Sequence, residues 1–96
     1  EKFPFEPQLP NDRGLLLMGQ GRTEEAFAAF REALSRDPEF LNTLENMGAY
    51  SRLQGDLESA LGYFLTAYDR VRSEGGDASK FRRYLDQTAR EVEEAR

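Results

Sequence analysis

Apolar and small residues recur along this chain at helical spacing, in segments that glycine or proline separates. One stripe lies in the middle of the chain and comprises Ala60, Leu61, Phe64, Leu65 and Tyr68. An earlier stripe comprises Ala26, Phe27, Phe30, Ala33 and Leu34. Intervals of three and four residues place each stripe on one face of an amphipathic helix. The pattern therefore predicts an all-α fold.

Residues that begin and end helices frame these stripes. Thr23 and Asp56 precede them and are typical N-caps. Gly55 ends the helix before the second stripe, because glycine readily adopts the left-handed conformation of a helix end. The Asp37-Pro38 pair ends the helix of the first stripe. A short first helix is predicted from about residue 11 to residue 20, ending at Gly19 or Gly21.

The predicted helices belong to an internal repeat. When the chain is shifted over itself by 34 residues, small and aromatic residues coincide. The matched pairs are Gly14 with Gly48, Gly21 with Gly55, Ala26 with Ala60, Phe30 with Phe64 and Ala33 with Ala67. Closely packed helix pairs need such residues, so we interpret each copy as a two-helix hairpin.

These residues resemble the signature of the tetratricopeptide repeat, with Pro38 completing it in the first copy. The resemblance implies two stacked hairpins in a right-handed α-α superhelix. We place the repeats within residues 11–76, with copies at about 7–40 and 41–74. Residues 1–10 hold Pro4, Pro7 and Pro10 and are predicted to be extended. Residues 77–96 are predicted to form a capping helix whose apolar stripe contains Phe81, Tyr84, Leu85, Thr88 and Val92.

Composition narrows the chemistry that this chain can perform. It has no cysteine or histidine and a net charge of −5. Thiolate chemistry, disulfides and imidazole bases or metal ligands are therefore excluded. The adjacent pairs Glu24-Glu25 and Glu93-Glu94 point in different directions on their helices, so they do not form an acid–base site. We expect no enzyme activity, no cofactor and no metal.

The apolar runs are too short to cross a bilayer, so we expect no membrane association. The chain begins with Glu1, and we therefore expect it to be part of a longer protein. We expect a cytoplasmic location. Any targeting segment upstream would be missing from this sequence.

The resemblance implies that the first helices of successive repeats line a concave groove for a peptide or partner protein. The predicted partner-binding residues are Asn11, Leu15, Met18, Asn42, Glu45, Asn46, Ala49, Arg52, Lys80, Arg83 and Gln87. An ordinary solvated face is the alternative interpretation. One subclass of the family clamps the C-terminal carboxylates of chaperones, but only Asn46 and Lys80 fall on its binding positions, so we do not expect that activity here.

Two other functions stay open at this stage. Two repeats are fewer than such arrays usually need to be stable alone, so a homodimer is one alternative. RNA binding is the other, through the basic cluster of Arg70, Arg72, Lys80, Arg82, Arg83 and Arg90. We do not expect nucleic acid, because the chain is acidic overall and the cluster lacks an aromatic ladder for base stacking.

Overall fold

The predicted stripes lie on α-helices throughout the described part of the chain. The structure is a computed structural model and describes residues 6–96, which form five helices and no strand. The helices are α1 (Gln8–Gly19), α2 (Thr23–Arg36), α3 (Leu41–Leu53), α4 (Leu57–Ser73) and α5 (Ser79–Glu94). The all-α fold is therefore confirmed. No helix along residues 6–96 combines the length and apolar character that crossing a bilayer requires.

The turns that end α1, α3 and α4 share one geometry. Gly21, Gly55 and Gly75 have φ values of 78°, 84° and 77°, which is the left-handed region that glycine enters at little cost. In the first turn, the Gly21 N–H donates to the Met18 carbonyl at 3.0 Å. The residue after each glycine donates to the carbonyl five positions back, at 2.9 Å in all three turns. These bonds satisfy carbonyls that a helix end leaves unpaired.

The helices α1, α2 and α4 begin in different ways. The helix α1 begins at Gln8, so residues 8–10 are helical and not extended, while residues 1–5 lie outside the described part of the chain. Pro10 is tolerated there because the N–H groups of a first turn have no intrahelical acceptor. Thr23 is the first residue of α2 and provides no side-chain cap. Asp56 does cap α4, since its carboxylate accepts the Ser59 N–H at 3.2 Å.

The chain divides into two compact units, residues 1–43 and residues 44–96. In the first unit, α1 packs against α2 through Gly14 and the fully buried Phe30. A Cβ atom placed on Gly14 would lie 2.6 Å from Cδ1 of Phe30. Only glycine therefore allows the α1 backbone to lie directly on that ring.

The second unit repeats this contact and adds a third helix. A Cβ atom on Gly48 of α3 would lie 2.7 Å from Cδ1 of Phe64 on α4. The ring of Tyr84 on α5 lies 4.9 Å from the Phe64 ring, measured between centroids. Phe81 is buried beside Tyr84, with 6.0 Å between their centroids. One face of α5 therefore covers the apolar side of the second hairpin.

Candidate functional site

Polar side chains join α3 to α5 on the solvent side of the second unit. Glu45 of α3 accepts hydrogen bonds from two α5 side chains, Lys80 Nζ at 3.0 Å and the Tyr84 hydroxyl at 2.8 Å. The bond to Glu45, together with partial burial, raises the pKa of Tyr84 above its ordinary value. Glu45 therefore links its helix to α5 through one charged and one neutral donor.

A second link lies two turns further along both helices. Arg52 donates from Nε and Nη2 to the two carboxylate oxygens of Glu91, at 2.8 and 2.7 Å. This bidentate contact raises the pKa of Arg52 and lowers the pKa of Glu91. Because Glu45 bonds to Tyr84, and the residues seven positions later bond to each other, α3 and α5 run parallel. Side-chain bonds at two positions, two helical turns apart, therefore hold α3 and α5 in register.

Exposed residues lie between the two links. Ala49 follows Glu45 by four residues on α3, and Gln87 follows Tyr84 by three on α5, so each shares a helix face with its linked neighbour. Ala49 and Gln87 are both exposed. We call this surface the α3–α5 face and define it by Glu45, Ala49, Arg52, Tyr84, Gln87 and Glu91.

The predicted groove residues on α1 have different environments. Asn11 is buried, and its Oδ1 accepts the Thr43 hydroxyl proton at 2.8 Å, so this side chain holds the first unit together and is not presented to solvent. Leu15 is 40% exposed, and Met18 is partly buried. Asn42 is exposed and donates to the Gln8 side-chain carbonyl at 3.1 Å.

Asn46 and Arg83 also belong to the predicted groove. Asn46 is partly buried on α3 and already takes part in an interaction. Arg83 is exposed on α5 and lines a cavity with residues of α4 and the α4–α5 turn. Its charge, like that of Lys80, also acts on Tyr84.

Three members of the basic cluster face carboxylates. Arg70 lies 3.4 Å from Glu74, Lys80 bonds to Glu45, and Arg82 lies 3.7 Å from Asp86. Arg72, Arg82 and Arg83 line the cavity at the junction of α4 and α5.

Tyr84 and Glu91 belong to the α3–α5 face but are absent from the predicted site. Tyr84 was interpreted as part of the apolar stripe, which its ring contacts bear out, while its hydroxyl also reaches Glu45. The spacing of these residues in the sequence could have identified them. Glu45 and Arg52 are seven residues apart on α3, and Tyr84 and Glu91 are seven residues apart on α5. When two helices run parallel, residues seven positions apart on one helix face residues seven positions apart on the other.

Residues 6–96 contain no group of three or more acidic side chains that could hold a metal ion. Residues 11–40 match the family model of the tetratricopeptide repeat. The match begins inside α1 and covers the Gly21 turn, α2 and the Pro38 region, and it supports the predicted family assignment over these residues. Repeats of this family are generally scaffolds for protein–protein interaction. None of the curated proteins or solved structures compared with the chain matches it.

Proposed function

We propose that this chain, a member of the tetratricopeptide repeat family through residues 11–40, is a non-catalytic protein–protein interaction module. We further propose that it binds a peptide or a segment of a partner protein on the α3–α5 face. The observation that carries this proposal is the pair of polar links between α3 and α5. They hold two parallel helices in register and leave an exposed strip between them.

The chemistry of this face suits an extended polypeptide. Ala49 is small and exposed, so a chain can approach the α3 backbone closely at that point. The Gln87 amide both donates and accepts, as an extended backbone requires. Arg52 uses two of its five N–H donors on Glu91, which leaves donors for a partner carbonyl or carboxylate. The bond to Glu91 already orders the Arg52 side chain, so binding needs little rearrangement there.

A substitution at the centre of the face tests this proposal. Ala49→Arg places a long charged side chain in the exposed strip, and we expect it to abolish capture of a partner from an extract of the source organism. Ala89→Arg is the matched control, because Ala89 is also exposed and lies on the Asp86 side of α5. Both variants should melt like the parent, since arginine is a good helix former.

The captured partner is then purified and its affinity measured by calorimetry. Selective loss of affinity in Ala49→Arg supports the α3–α5 face as the binding surface. Equal affinity of Ala49→Arg and the parent contradicts it. A partner that loses affinity for Ala89→Arg instead would use another part of α5.

Self-association is a second candidate function, favoured by α1. Leu9 and Leu16 are 67% and 63% exposed and lie seven residues apart, on the same side of this helix. Exposed leucines on one side of a helix form an apolar surface that a partner can cover. A second copy of the chain would cover these leucines. Sedimentation equilibrium at several concentrations tests this: a dimer that Leu16→Gln dissociates supports it, and a monomer at all concentrations contradicts it.

A further inference from the structure

A cavity of about 360 Å³ opens where α4 ends and α5 begins. Its walls contain three guanidinium groups and one carboxylate, in a chain whose net charge is −5. The lining residues are Tyr68, Arg72, Gly76, Asp77, Ala78, Ser79, Arg82 and Arg83. The cavity is therefore a local reversal of the overall charge, and it is large enough for one small polar group.

The single carboxylate in the wall is engaged within its own turn. Asp77 accepts the Ser79 N–H at 2.9 Å and also the Ser79 hydroxyl. These two bonds lower the pKa of Asp77, with a smaller contribution from the charge of Arg83. Asp77 thus shapes the turn in front of α5, and no hydrogen bond joins it to an arginine of the cavity among the bonds of the described residues.

The arginines keep most of their hydrogen-bonding capacity. Arg72 donates from Nη1 to the Tyr68 hydroxyl at 3.1 Å, and its guanidinium lies 5.6 Å from the centre of the Tyr68 ring. A phenol orients the guanidinium without neutralising it. Arg82 forms an exposed ion pair with Asp86, in which Nε lies 3.7 Å from the carboxylate oxygen, longer than a hydrogen bond. Arg83 is exposed at the same wall.

The charges along α5 are unevenly distributed. Lys80, Arg82 and Arg83 stand near its N-terminus, whereas Glu91, Glu93 and Glu94 stand near its C-terminus. The first turn contains no acidic residue and the last turn no basic residue. The helix dipole favours the opposite order. A positive group at this end is therefore unfavourable for the isolated helix and favourable for a bound anion.

We propose that this cavity binds the phosphate group of a phosphorylated segment of a partner protein. A phosphate monoester carries up to two negative charges and three acceptor oxygens, which several guanidinium groups can bind through charge-assisted pairs. The cavity is confined to the junction of α4 and α5, and the rest of the chain is acidic overall. These features suit a single phosphate better than the long backbone of a nucleic acid. The proposal concerns a surface distinct from the α3–α5 face and does not depend on it.

The test is a calorimetric titration of the whole chain with a short peptide that has a phosphoserine between glycines, and with its unphosphorylated form. We expect binding of the phosphopeptide only. Arg83→Gln and Arg72→Gln should each weaken it by about tenfold, the order expected for losing a charge-assisted hydrogen bond. Arg90→Gln is the matched control, since Arg90 is exposed on α5 and does not line the cavity.

The proposal is overturned if both peptides bind equally, if neither binds, or if Arg90→Gln weakens binding as much as the cavity variants. Tighter binding of a single-stranded RNA at the same salt concentration also overturns it, in favour of nucleic-acid recognition. Unchanged melting temperatures of all three variants identify a loss of binding as local. If Arg72→Gln melts lower, Arg83→Gln decides the outcome, because its exposed side chain contributes least to packing.

Discussion

Glycine-to-alanine substitutions at two helical positions should change stability in opposite directions. At Gly48, the added methyl carbon would lie 2.7 Å from Cδ1 of Phe64, well inside van der Waals contact. The ring cannot move away freely, because it is 2% exposed and packs against Tyr84. At Gly62 of α4, nothing lies within 4 Å of the same atom. The two positions therefore separate steric conflict from helix propensity.

The expected magnitudes follow from these surroundings. Alanine is favoured over glycine inside a helix by about 0.5–1 kcal/mol, so Gly62→Ala should stabilise the chain by about that amount. Gly48→Ala receives the same benefit but also overpacks the core, which costs about 1–3 kcal/mol and more where the neighbours are held. We expect a net loss of about 1–2 kcal/mol.

Thermal unfolding followed by far-ultraviolet circular dichroism measures both effects. A change of about 1 kcal/mol shifts the melting temperature by roughly 4–8 °C in a domain of this size. Gly62→Ala should melt a few degrees above the parent, and Gly48→Ala clearly below it. A Gly48→Ala protein that melts as high as Gly62→Ala would refute the close α3–α4 contact.

Three further predictions concern packing, the last helix and pH. Ala60→Leu should lower the melting temperature by an amount equivalent to about 1–3 kcal/mol, because Ala60 is fully buried. The neighbouring substitution Ser59→Leu should have a small effect. Equal melting temperatures of the two variants would reject the helix register. Deletion of residues 77–96 should give an unfolded or aggregating chain on size-exclusion chromatography, and a soluble fragment with cooperative melting would contradict the capping role of α5. The bond to Arg52 lowers the pKa of Glu91. The ionised Glu91 therefore stabilises the fold at pH values above its unfolded-state pKa. This stabilisation is lost as the pH falls through the folded-state pKa. In urea titrations Glu91→Gln should therefore lose less stability than the parent on acidification from neutral pH, and identical pH profiles would argue against the link.

Much of the fold was predictable because its signals are local. Helical periodicity over residues 57–73 and the 34-residue repeat identify α4 and its relation to α2. The turns after α1 and α3 were predictable from Gly21 and Gly55, since a left-handed residue ends a helix wherever it occurs. The cap of α4 required only Asp56 and the adjacent N–H groups.

Features that depend on contacts between distant residues were not predictable in this way. Asn11 has the side chain of a groove residue, yet its position opposite Thr43 makes it a buried hydrogen-bond acceptor. Pro10 by its residue type predicts an extended segment, but it lies in the first turn of α1, where a proline is tolerated. In both cases the neighbouring structure, and not the residue type, determines whether a polar or constrained group is satisfied.

The sequence by itself determined which residues form helices, where the turns occur and which positions must be small, because periodicity and backbone preference act over a few residues. Tertiary structure decided which charged residues meet. Arg52 and Glu91 are 39 positions apart and pair because α3 and α5 run parallel. Arg83, one of the predicted groove residues, lines the cavity beside Arg72 because of how α5 packs on α4. Charge pairing depends on distance in space, and helix packing sets that distance.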